Sequence, residues 1–550
     1  MDLRSSLINI AGMFVPSLKW RQEIRSQWGR PGDSRRYAAR AGWYFDLRRT
    51  QLDPAAFVDD KTWTDLEFPR FFTALDTTIS PIGQQYLFAQ LRVYEYDKTE
   101  LDRRLLTCEI LHSDPALRED LQVALKPLEL DAAAHIVDLL MGAEPAKVPH
   151  RWLLLPWTLI TVGAIVAALA HLIPAWLCLL PLLLNLVIAF RTEVKLGDDA
   201  NALLYCSRLL TVADRMAALR GGDGLSDLGR LKAERPLRRR LRNQISWLRT
   251  LDRLRTSVVT GGAALIIDWL FLVKLSLYSR ALTRFCATRS NWLSTFQSVG
   301  AVDAAIAVVS FMERYPARCR PTVLEERVLE MANGYHAFIA APVKNSITLN
   351  GTSVLVTGSN MTGKTTFIKM VAMNVILGHT LGFCLADRAT LPRSAVRALI
   401  HGDQSVETGK SRYFAEAEAI CRFISESAAG ACRVFVLDEP FSGTNTVERI
   451  AVAKAVLRAI STDSQVLVTT HDVELQHLLG PQFELFHFQE NPAVEGFFDH
   501  ALHAGASTQR NAIRVLERLG FPADIIAEAM ATVPAIDISH VPRDGAGSAD

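Results

Sequence analysis

The sequence predicts an α/β P-loop domain at the C-terminal end, preceded by an all-α region that a two-helix transmembrane hairpin interrupts. The first observation is a glycine-bounded loop between an apolar strand at Ser353–Thr357 and an apolar helix at Phe367–Leu377. The second is the segment from Trp152 to Phe190, which contains no Asp, Glu, Lys or Arg. At 550 residues several domains are expected, and the net charge of +2 gives no general sign of polyanion binding.

The loop TGSNMTGKTT (357–366) fits the pattern G-x-x-x-x-G-K-[ST], in which successive backbone N–H groups surround phosphates. Lys364 supplies a positive charge for the outer phosphates and is a catalytic candidate, and the Thr365 hydroxyl is a candidate Mg²⁺ ligand. Chance would give roughly 0.02 matches in a chain of this length. The predicted nucleotide-binding residues are Gly358, Ser359, Asn360, Met361, Thr362, Gly363, Lys364, Thr365 and Thr366.

Two further strands end in residues that suit the same chemistry. In CRVFVLDEPFSGTNT (432–446), Asp438 is expected near the Mg²⁺ ion, and Glu439 is expected to polarise the attacking water. The pair could instead be a plain helix N-cap, but Pro440 and Gly443 favour a loop. In QVLVTTHD (465–472), the strand ends at His471, which is placed to sense the γ-phosphate or is simply a buried core histidine.

These motifs resemble those of the MutS family of DNA mismatch-repair ATPases, within the wider group of ABC-type ATPases. TGSNMTGKTT is similar to the family's TGPNMGGKST, DEPFSGTNT to DE-x-GRGTST, and TTHD to ATHY. The segment ETGKSRYFAEAE (407–418) resembles SGRSTFMVEM, which makes Ser411 the candidate signature serine that reaches the partner subunit's nucleotide. The resemblance implies ATP and Mg²⁺ as cofactors and a homodimer with composite ATP sites.

The resemblance extends over residues 65–140 and 290–530, with departures. Residues 75–121 resemble the start of the family's helical core, 298–321 its last lever helix and 511–529 its closing helices. Ser359 and Thr362 replace the family's Pro and Gly at positions that do not supply the phosphate-binding chemistry. About 60 residues precede the core, so the mismatch-recognition domain with its Phe-x-Glu wedge is expected to be missing. The triplet at 488–490 is read as part of a strand.

The uncharged segment is interpreted as two membrane spans, 152–170 and 172–190, joined by a turn near His171. As a single helix its 39 residues would measure about 58 Å, nearly twice a ~30 Å hydrocarbon core. The flanks are basic, with Lys147 and Arg151 before the segment and Arg191 and Lys195 after it. This charge distribution predicts an inner (cytoplasmic) membrane location with the ATPase domain facing the cytoplasm. A buried hairpin in a soluble protein is the alternative.

Other segments give weaker signals. The apolar stretch Val258–Leu275 is interrupted by two glycines and two charged residues, and is read as a lever helix. The Arg-rich segment 230–255 is a solvated helix face, a contact with anionic lipid headgroups or a nucleic-acid contact. The eight cysteines show no C-x-x-C pattern and are expected to be reduced thiols.

Two functions of different classes remain open. The first is a membrane-anchored MutS-family ATPase linked to DNA binding, in mismatch repair or recombination. The second is an ATP-driven switch that acts on a protein or lipid partner and has no DNA role; residues 196–290 leave little room for a DNA clamp. The predicted domains are an N-terminal basic region (1–64), the first part of the helical core (65–145), the hairpin (146–195), the remaining core and lever (196–330), the ATPase domain (331–535) and a disordered tail (536–550).

Overall fold

The computed structural model describes residues 16–32, 40–129, 136–142, 154–243, 272–359, 362–400, 412–430, 433–489, 498–506 and 520–536. The chain forms two compact units. A helical unit comprises Met1–Leu52, Phe72–Leu91 and Asp102–Arg314, and an α/β unit comprises Asp53–Phe71, Arg92–Leu101 and Tyr315–Asp550. This division differs from the linear order of the predicted domains, because two early segments pack into the α/β unit.

Thirteen described helices precede the first strand. They are α1 (Pro16–Gln27), α2 (Trp43–Arg49), α3 (Asp60–Asp65), α4 (Phe68–Leu75), α5 (Pro81–Arg92), α6 (Lys98–Ser113), α7 (Pro115–Leu125), α8 (Ile136–Met141), α9 (Leu154–Leu169), α10 (Leu179–Ala218), α11 (Ser226–Ala233), α12 (Val273–Ala287) and α13 (Arg289–Arg314). The predicted lever at 298–321 lies in α13 as far as Arg314. The stretch Val258–Leu275, read as a lever helix, falls outside the described residues up to residue 271.

One buried carboxylate fixes the start of α5 against α13. Asp303 accepts hydrogen bonds from the N–H groups of Ile79 (3.0 Å) and Ser80 (2.8 Å), and from the Ser80 hydroxyl (2.6 Å). A Cβ atom on Gly83 would lie 2.2 Å from Asp303 Oδ2, so only glycine fits there. Burial raises the pKa of Asp303 to about 6, although its hydrogen bonds oppose the shift. The buried hydrogen bonds of Asp303 therefore hold the start of α5 against α13 in the helical unit.

The helix α13 is long and apolar enough to cross a membrane by length and composition, the one described helix that is. However, 83% of its most apolar stretch is buried inside the protein. Its buried side chains include Trp292, Phe296 and Phe311, which are among the largest fully buried residues of the chain. We therefore assign α13 to the core of the helical unit.

The uncharged segment forms α9, a turn at His171 (φ 55°), a 3₁₀ turn at Ala175–Cys178 and the first part of α10. The predicted second span, 172–190, is not helical from its start, because α10 begins only at Leu179, after Pro174 and the 3₁₀ turn. From there α10 continues without a break to Ala218. Two shorter apolar helical stretches, Pro156–Leu169 and Ala175–Ile188, occupy this region.

The apolar side chains of α9 and of the first part of α10 face outward. Leu169 is 77% exposed, Leu183 60% and Phe190 71%. The two helices are joined by a hydrogen bond from Trp157 Nε1 to Asn185 Oδ1 (2.6 Å). Farther along α10, the apolar residues from Ala202 to Met216 are buried, except Leu204, which is half-buried. The first part of α10 is thus an uncovered apolar segment, and its later part lies in a packed core. The membrane assignment of the uncharged segment stays a prediction.

The α/β unit contains two sheets. The strands are β1 (Thr322–Leu324), β2 (Val328–Gly334), β3 (Asn345–Asn350), β4 (Ser353–Thr357), β5 (Arg388–Pro392), β6 (Val396–Leu399), β7 (Val434–Asp438), β8 (Gln465–Thr470), β9 (Phe483–His487) and β10 (His503–Ala504). The larger sheet has the order β10-β9-β4-β8-β7-β6, in which only β10 is antiparallel, and the smaller has the order β1-β5-β2-β3. The later helices are α14 (Lys364–Thr380), α15 (Arg412–Ala428), α16 (Thr446–Ser461), α17 (Leu475–Leu478) and α18 (Ala523–Ile536).

The register of the central strands places their carboxyl ends together. Thr357 of β4 pairs with Thr470 of β8, and Asp438 of β7 pairs with Thr469. All residues of β4, β7 and β8 are buried, as expected for parallel strands covered on both faces. The residues that follow these three strands therefore meet at one edge of the sheet.

Side chains from the two early segments cover the edge strand β6. Its N–H groups donate in turn to three of them: Val396 to the Tyr94 hydroxyl (3.0 Å), Ala398 to Thr62 Oγ1 (3.0 Å) and, just beyond the strand, Ile400 to Asp65 Oδ2 (2.7 Å). An open edge would expose unpaired backbone groups, so this covering satisfies them. It also explains why residues 53–71 and 92–101 belong to the α/β unit.

Candidate functional site

The loop after β4 has the backbone that a phosphate-binding loop requires. Gly358 and Gly363 have φ values of 145° and 113°, which favour glycine. A Cβ atom on Gly358 would also lie 2.7 Å from the carbonyl oxygen of Phe488. The helix α14 begins at Lys364, so its N-terminal end closes the loop. Of the predicted loop residues, Asn360 and Met361 lie outside the described residues.

Lys364 lies across its own loop. Its Nζ donates to the carbonyl oxygens of Gly358 (2.9 Å) and Ser359 (3.0 Å). Burial lowers its pKa from the ordinary value of 10.5, while the carboxylates of Glu439 and Asp438 oppose that shift. The ammonium group is therefore held in the center of the loop, where its charge faces the space that the loop encloses.

A hydroxyl and a carboxylate meet beside the lysine. Thr365 Oγ1 lies 3.0 Å from Asp438 Oδ1 and 2.9 Å from Oδ2. The Thr469 hydroxyl donates to the same carboxylate, which keeps Asp438 oriented toward the loop. Hydroxyl and carboxylate oxygens are the ligands that Mg²⁺ prefers. These donors therefore fit the predicted Mg²⁺ site, with nucleotide phosphates and water completing the coordination.

The predicted base and the predicted sensor are in direct contact. Glu439 Oε1 lies 2.6 Å from His471 Nε2, and Lys364 Nζ lies 3.4 Å from the same nitrogen. One nitrogen cannot donate and accept at once, so the shorter contact assigns the hydrogen to Nε2, donated to the carboxylate. Glu439 has a φ of 47°, a left-handed conformation that is strained for glutamate. Both side chains are about one-third exposed, so water reaches them.

A cavity of about 300 Å³ opens next to the start of α14. Its lining includes loop residues, Phe488 of the triplet at 488–490, and residues that the sequence did not single out, among them His336, Asn345 and His500. Asn345 holds the last segment in place, because its side-chain amide donates to His500 O (3.1 Å) and accepts from Leu502 N–H (2.8 Å). The four residues come from segments far apart in the sequence, and no motif joins them.

The rings at the cavity are fixed in different ways. His500 Nδ1 lies 3.0 Å from the carbonyl oxygen of Thr362, which only accepts, so Nδ1 carries the hydrogen. Phe488 follows β9 directly, is buried and packs against Phe367 with ring centroids 5.9 Å apart. Burial lowers the pKa of His336 to about 4, so this histidine is uncharged at neutral pH. The triplet at 488–490 is predicted to be part of a strand, but β9 ends at His487, and the buried Phe488 follows the strand directly.

The candidate signature serine, Ser411, lies outside the described residues. The helix α15 begins directly after it, and its first residues Tyr413 and Phe414 are exposed large hydrophobic side chains. Farther along α15, Glu416 is buried and accepts a hydrogen bond from the N–H of Phe441, in the loop that follows Glu439. The structure thus joins α15 to the loop of the predicted base.

Comparisons with known proteins match the C-terminal part of the chain. Residues 354–537 match the family described as MutS domain V. The chain is 27% identical over 268 residues to the DNA mismatch repair protein MutS of Natronomonas pharaonis, covering 46% of this chain and 31% of the relative. It is 28% identical over 241 residues to the protein of the same name from Thermus thermophilus, covering 43% of this chain and 29% of the relative.

A third relative, the DNA mismatch repair protein MutS of Thermus aquaticus, is 28% identical over 197 residues, covering 35% of this chain and 24% of the relative. The chain thus spans less than a third of the length of the curated relatives it matches. The matched region contains the loop, the two strand-end motifs and the sheet edge where they meet. The resemblance to the MutS family inferred from those motifs is confirmed: residues 354–537 match MutS domain V, and the similar proteins carry the name MutS.

Proposed function

We propose that the α/β unit binds Mg²⁺-ATP and hydrolyses it. The observation that carries this proposal is the meeting of three groups at one sheet edge: Lys364 within its loop, Thr365 with Asp438, and Glu439 with His471. Lys364 exchanges its loop carbonyls for phosphate oxygens, and Thr365 and Asp438 hold Mg²⁺, which neutralises charge on the phosphates. Glu439 orients and deprotonates the attacking water, and His471 fixes the position of that carboxylate.

The cavity next to α14 is proposed to take the base of the nucleotide. Its volume of about 300 Å³ lies at the lower end of the range for small-molecule pockets. The rings of Phe488 and His500 line it next to the phosphate loop, and aromatic faces stack on purine rings. The phosphate and base ends of the site are then adjacent on one unit.

Nucleotide binding tests this proposal first. Lys364→Ala removes the charge that faces the phosphates, so affinity for a fluorescent ATP analogue should fall at least tenfold. Lys98→Ala, which removes an exposed lysine of the same unit, is the matched control and should bind as the wild type does. Equal affinity of Lys364→Ala and wild type would refute the assignment of the loop.

The hairpin at 152–190 is proposed to anchor the chain in the inner membrane, with the ATPase unit on the cytoplasmic side. The exposure of Leu169, Leu183 and Phe190 supports this, because water is a poor solvent for a continuous apolar surface. The absence of formal charge from Trp152 to Phe190 supports it as well.

Carbonate extraction and cysteine labelling test the anchor. The protein should resist carbonate extraction, and it should react with an external thiol reagent only through a cysteine placed at His171. Release into the carbonate supernatant would contradict the anchor.

A homodimer with composite ATP sites is proposed as the working assembly. The exposed Tyr413 and Phe414, which follow the candidate Ser411, support a partner surface at the start of α15. Mixing Lys364→Ala chains with Ser411→Ala chains tests it, since one site of each mixed dimer is then intact. Partial recovery of hydrolysis is expected. No recovery after proven subunit exchange would contradict the role of Ser411 in the partner's site.

The ATPase is further proposed to be linked to DNA binding, since the relatives are named DNA mismatch repair proteins. Purified protein in nanodiscs should shift mismatched or branched DNA, and the DNA should change its ATPase rate. A DNA-independent rate and no shift would favour an ATP-driven switch with a protein or lipid partner.

A further inference from the structure

A partly buried ion pair lies beside the proposed hydrolysis site, and neither of its residues is assigned a role from the sequence. Arg449, in the second turn of α16, forms two parallel hydrogen bonds with Asp472: Nε to Oδ2 at 2.8 Å and Nη2 to Oδ1 at 2.5 Å. The Asp472 side chain is 9% exposed and that of Arg449 is 23% exposed. The paired geometry makes this the strongest form of a carboxylate–guanidinium contact. Its hydrogen bonds with Asp472 raise the pKa of Arg449, and burial partly opposes this.

The two ends of the pair belong to the two loops of the hydrolysis site. Asp472 follows His471 directly, and its N–H donates to Thr470 Oγ1 (3.0 Å). Arg449 lies in α16, whose N-cap Asn445 ends the loop that starts at Glu439 and accepts from Glu448 N–H (3.0 Å). The contact between Glu439 and His471 bridges the same two loops at 2.6 Å. The ion pair between Arg449 and Asp472 is therefore a second side-chain bridge between the two loops, in addition to the contact between Glu439 and His471.

The contact between Arg449 and Asp472 is not a consequence of the sequence motifs. Asp472 stands where the family's ATHY motif has tyrosine, so the contact does not follow from the motif. Nothing in the phosphate loop touches either side chain among the contacts that the structure describes. Arg449 and Asp472 are therefore separate from the residues that are proposed to contact the phosphates and Mg²⁺.

We propose that Arg449 and Asp472 are positioning residues for ATP hydrolysis, which hold the loops of His471 and Glu439 at the separation that aims the Glu439 carboxylate at the attacking water. The inference rests on the proposed ATPase function. The backbone N–H of Glu439 donates to Thr469 O at 3.0 Å, whereas its side chain is about one-third exposed and its backbone is left-handed. A displacement of about 1 Å at a reacting group costs on the order of 10²-fold in rate. Loss of the second bridge should therefore lower turnover without weakening nucleotide binding.

The test compares kcat and KM for ATP. Asp472→Asn and Arg449→Gln should each lower kcat about tenfold or more, with KM within about twofold of the wild type. Arg449→Lys keeps the charge but loses the paired geometry, and should lie between these variants and the wild type. The double variant Arg449→Asp with Asp472→Arg should recover part of the loss, because the bridge forms again in the opposite sense.

The matched control is Glu426→Gln. Glu426 pairs with the buried Arg397 at 2.8 Å in the same unit, away from the hydrolysis site. Its loss should lower thermal stability and leave kcat unchanged. If Asp472→Asn does not fold, the comparison is made with Arg449→Lys, which preserves charge and volume.

The outcomes separate this inference from the function on which it rests. Wild-type kcat in Arg449→Gln and Arg449→Lys, with Glu439→Gln nearly inactive, would overturn the positioning role and leave the ATPase proposal standing. An equal loss of kcat in Glu426→Gln would also overturn it, since the effect would then be general destabilisation. A wild-type protein that does not hydrolyse Mg²⁺-ATP would overturn both.

Discussion

The two units use their buried residues in different ways. In the α/β unit, polar groups converge: the buried Lys364 and Asp438 and the half-buried Thr365 lie within hydrogen-bonding distance of the loop or of one another. In the helical unit, apolar side chains dominate, and one apolar surface, on α9 and the start of α10, is left uncovered. By contrast, α13, which is also apolar enough to cross a membrane by length and composition, is 83% buried in its most apolar stretch. Apolar composition thus identifies a helix that avoids water, and only the packing shows whether the protein itself covers it.

The largest effect should come from the polar group that acts on water. Glu439→Gln keeps the size of the side chain and removes its ability to accept a proton. Turnover should fall by about 10²–10⁴-fold while ATP binding stays near that of the wild type. Single-turnover hydrolysis and equilibrium binding of the same preparation measure the two quantities. Wild-type turnover in this variant would show that Glu439 is not the general base.

The contrast between α13 and the hairpin predicts opposite responses to the same substitution. Ala304→Arg places a charge in the buried α13, and should destabilise the helical unit by about 3 kcal/mol or more. Leu183→Arg places a charge at an exposed position of α10, and should leave the melting temperature in detergent unchanged. It should cost about 2.5–3.5 kcal/mol of membrane insertion if that position lies near the bilayer centre.

Thermal melting in detergent and retention after carbonate washing measure both effects for the two variants. A strong drop in melting temperature with Leu183→Arg would show that the surface is covered by protein. In that case the uncovered apolar surface would not be a membrane contact.

The pH dependence of stability should have opposite signs in the two units. In the α/β unit, burial lowers the pKa values of His336 and His379 to about 4, from an ordinary value of 6.5. The unfolded chain therefore binds more protons between about 6.5 and 4, and the stability of this unit falls as the pH is lowered through that window. Asp65, whose pKa burial raises, opposes the trend, whereas Glu67 and Asp387, whose pKa values are lowered by hydrogen bonds from Lys369 and Asn333, reinforce it.

In the helical unit, burial raises the pKa of Asp303 to about 6, from an ordinary value of 3.8. The folded state binds the additional proton between about 3.8 and 6, so the contribution of Asp303 to stability increases as the pH is lowered through this window. Hydrogen exchange at pH 7 and pH 5, resolved by unit, should show weaker protection in the α/β unit and stronger protection around α5 and α13. Asp303→Asn should abolish the second change; the same response in both units would contradict the assignment.

The sequence predicted the part of the site that consists of short motifs. The strand at Ser353–Thr357 has the predicted bounds, and Lys364, Asp438, Glu439 and His471 meet as expected, because parallel strands bring their carboxyl ends to one edge. A local pattern of glycines and apolar residues is enough to specify such an arrangement.

The sequence did not predict features made by residues far apart in the chain. Asn345 and His500 meet across 155 residues, and Asp65 covers the sheet edge at Ile400 across 335. Hydrophobic periodicity and motif spacing do not predict such contacts, because they form only when distant segments pack together. The sequence predicts a turn near His171 and Pro174, but it does not predict the 3₁₀ turn at Ala175–Cys178 that delays the start of α10 to Leu179.

Mg²⁺-dependent ATP hydrolysis by the purified protein in nanodiscs tests the central claim most directly. The wild type should hydrolyse ATP only when Mg²⁺ is present, because Thr365 and Asp438 are proposed to hold the ion against the phosphates. Asp438→Asn removes a charged ligand, and should lose hydrolysis at low Mg²⁺ concentration and recover part of it at high concentration. No hydrolysis by the wild type, or a wild-type rate and Mg²⁺ dependence in Asp438→Asn, would contradict the account.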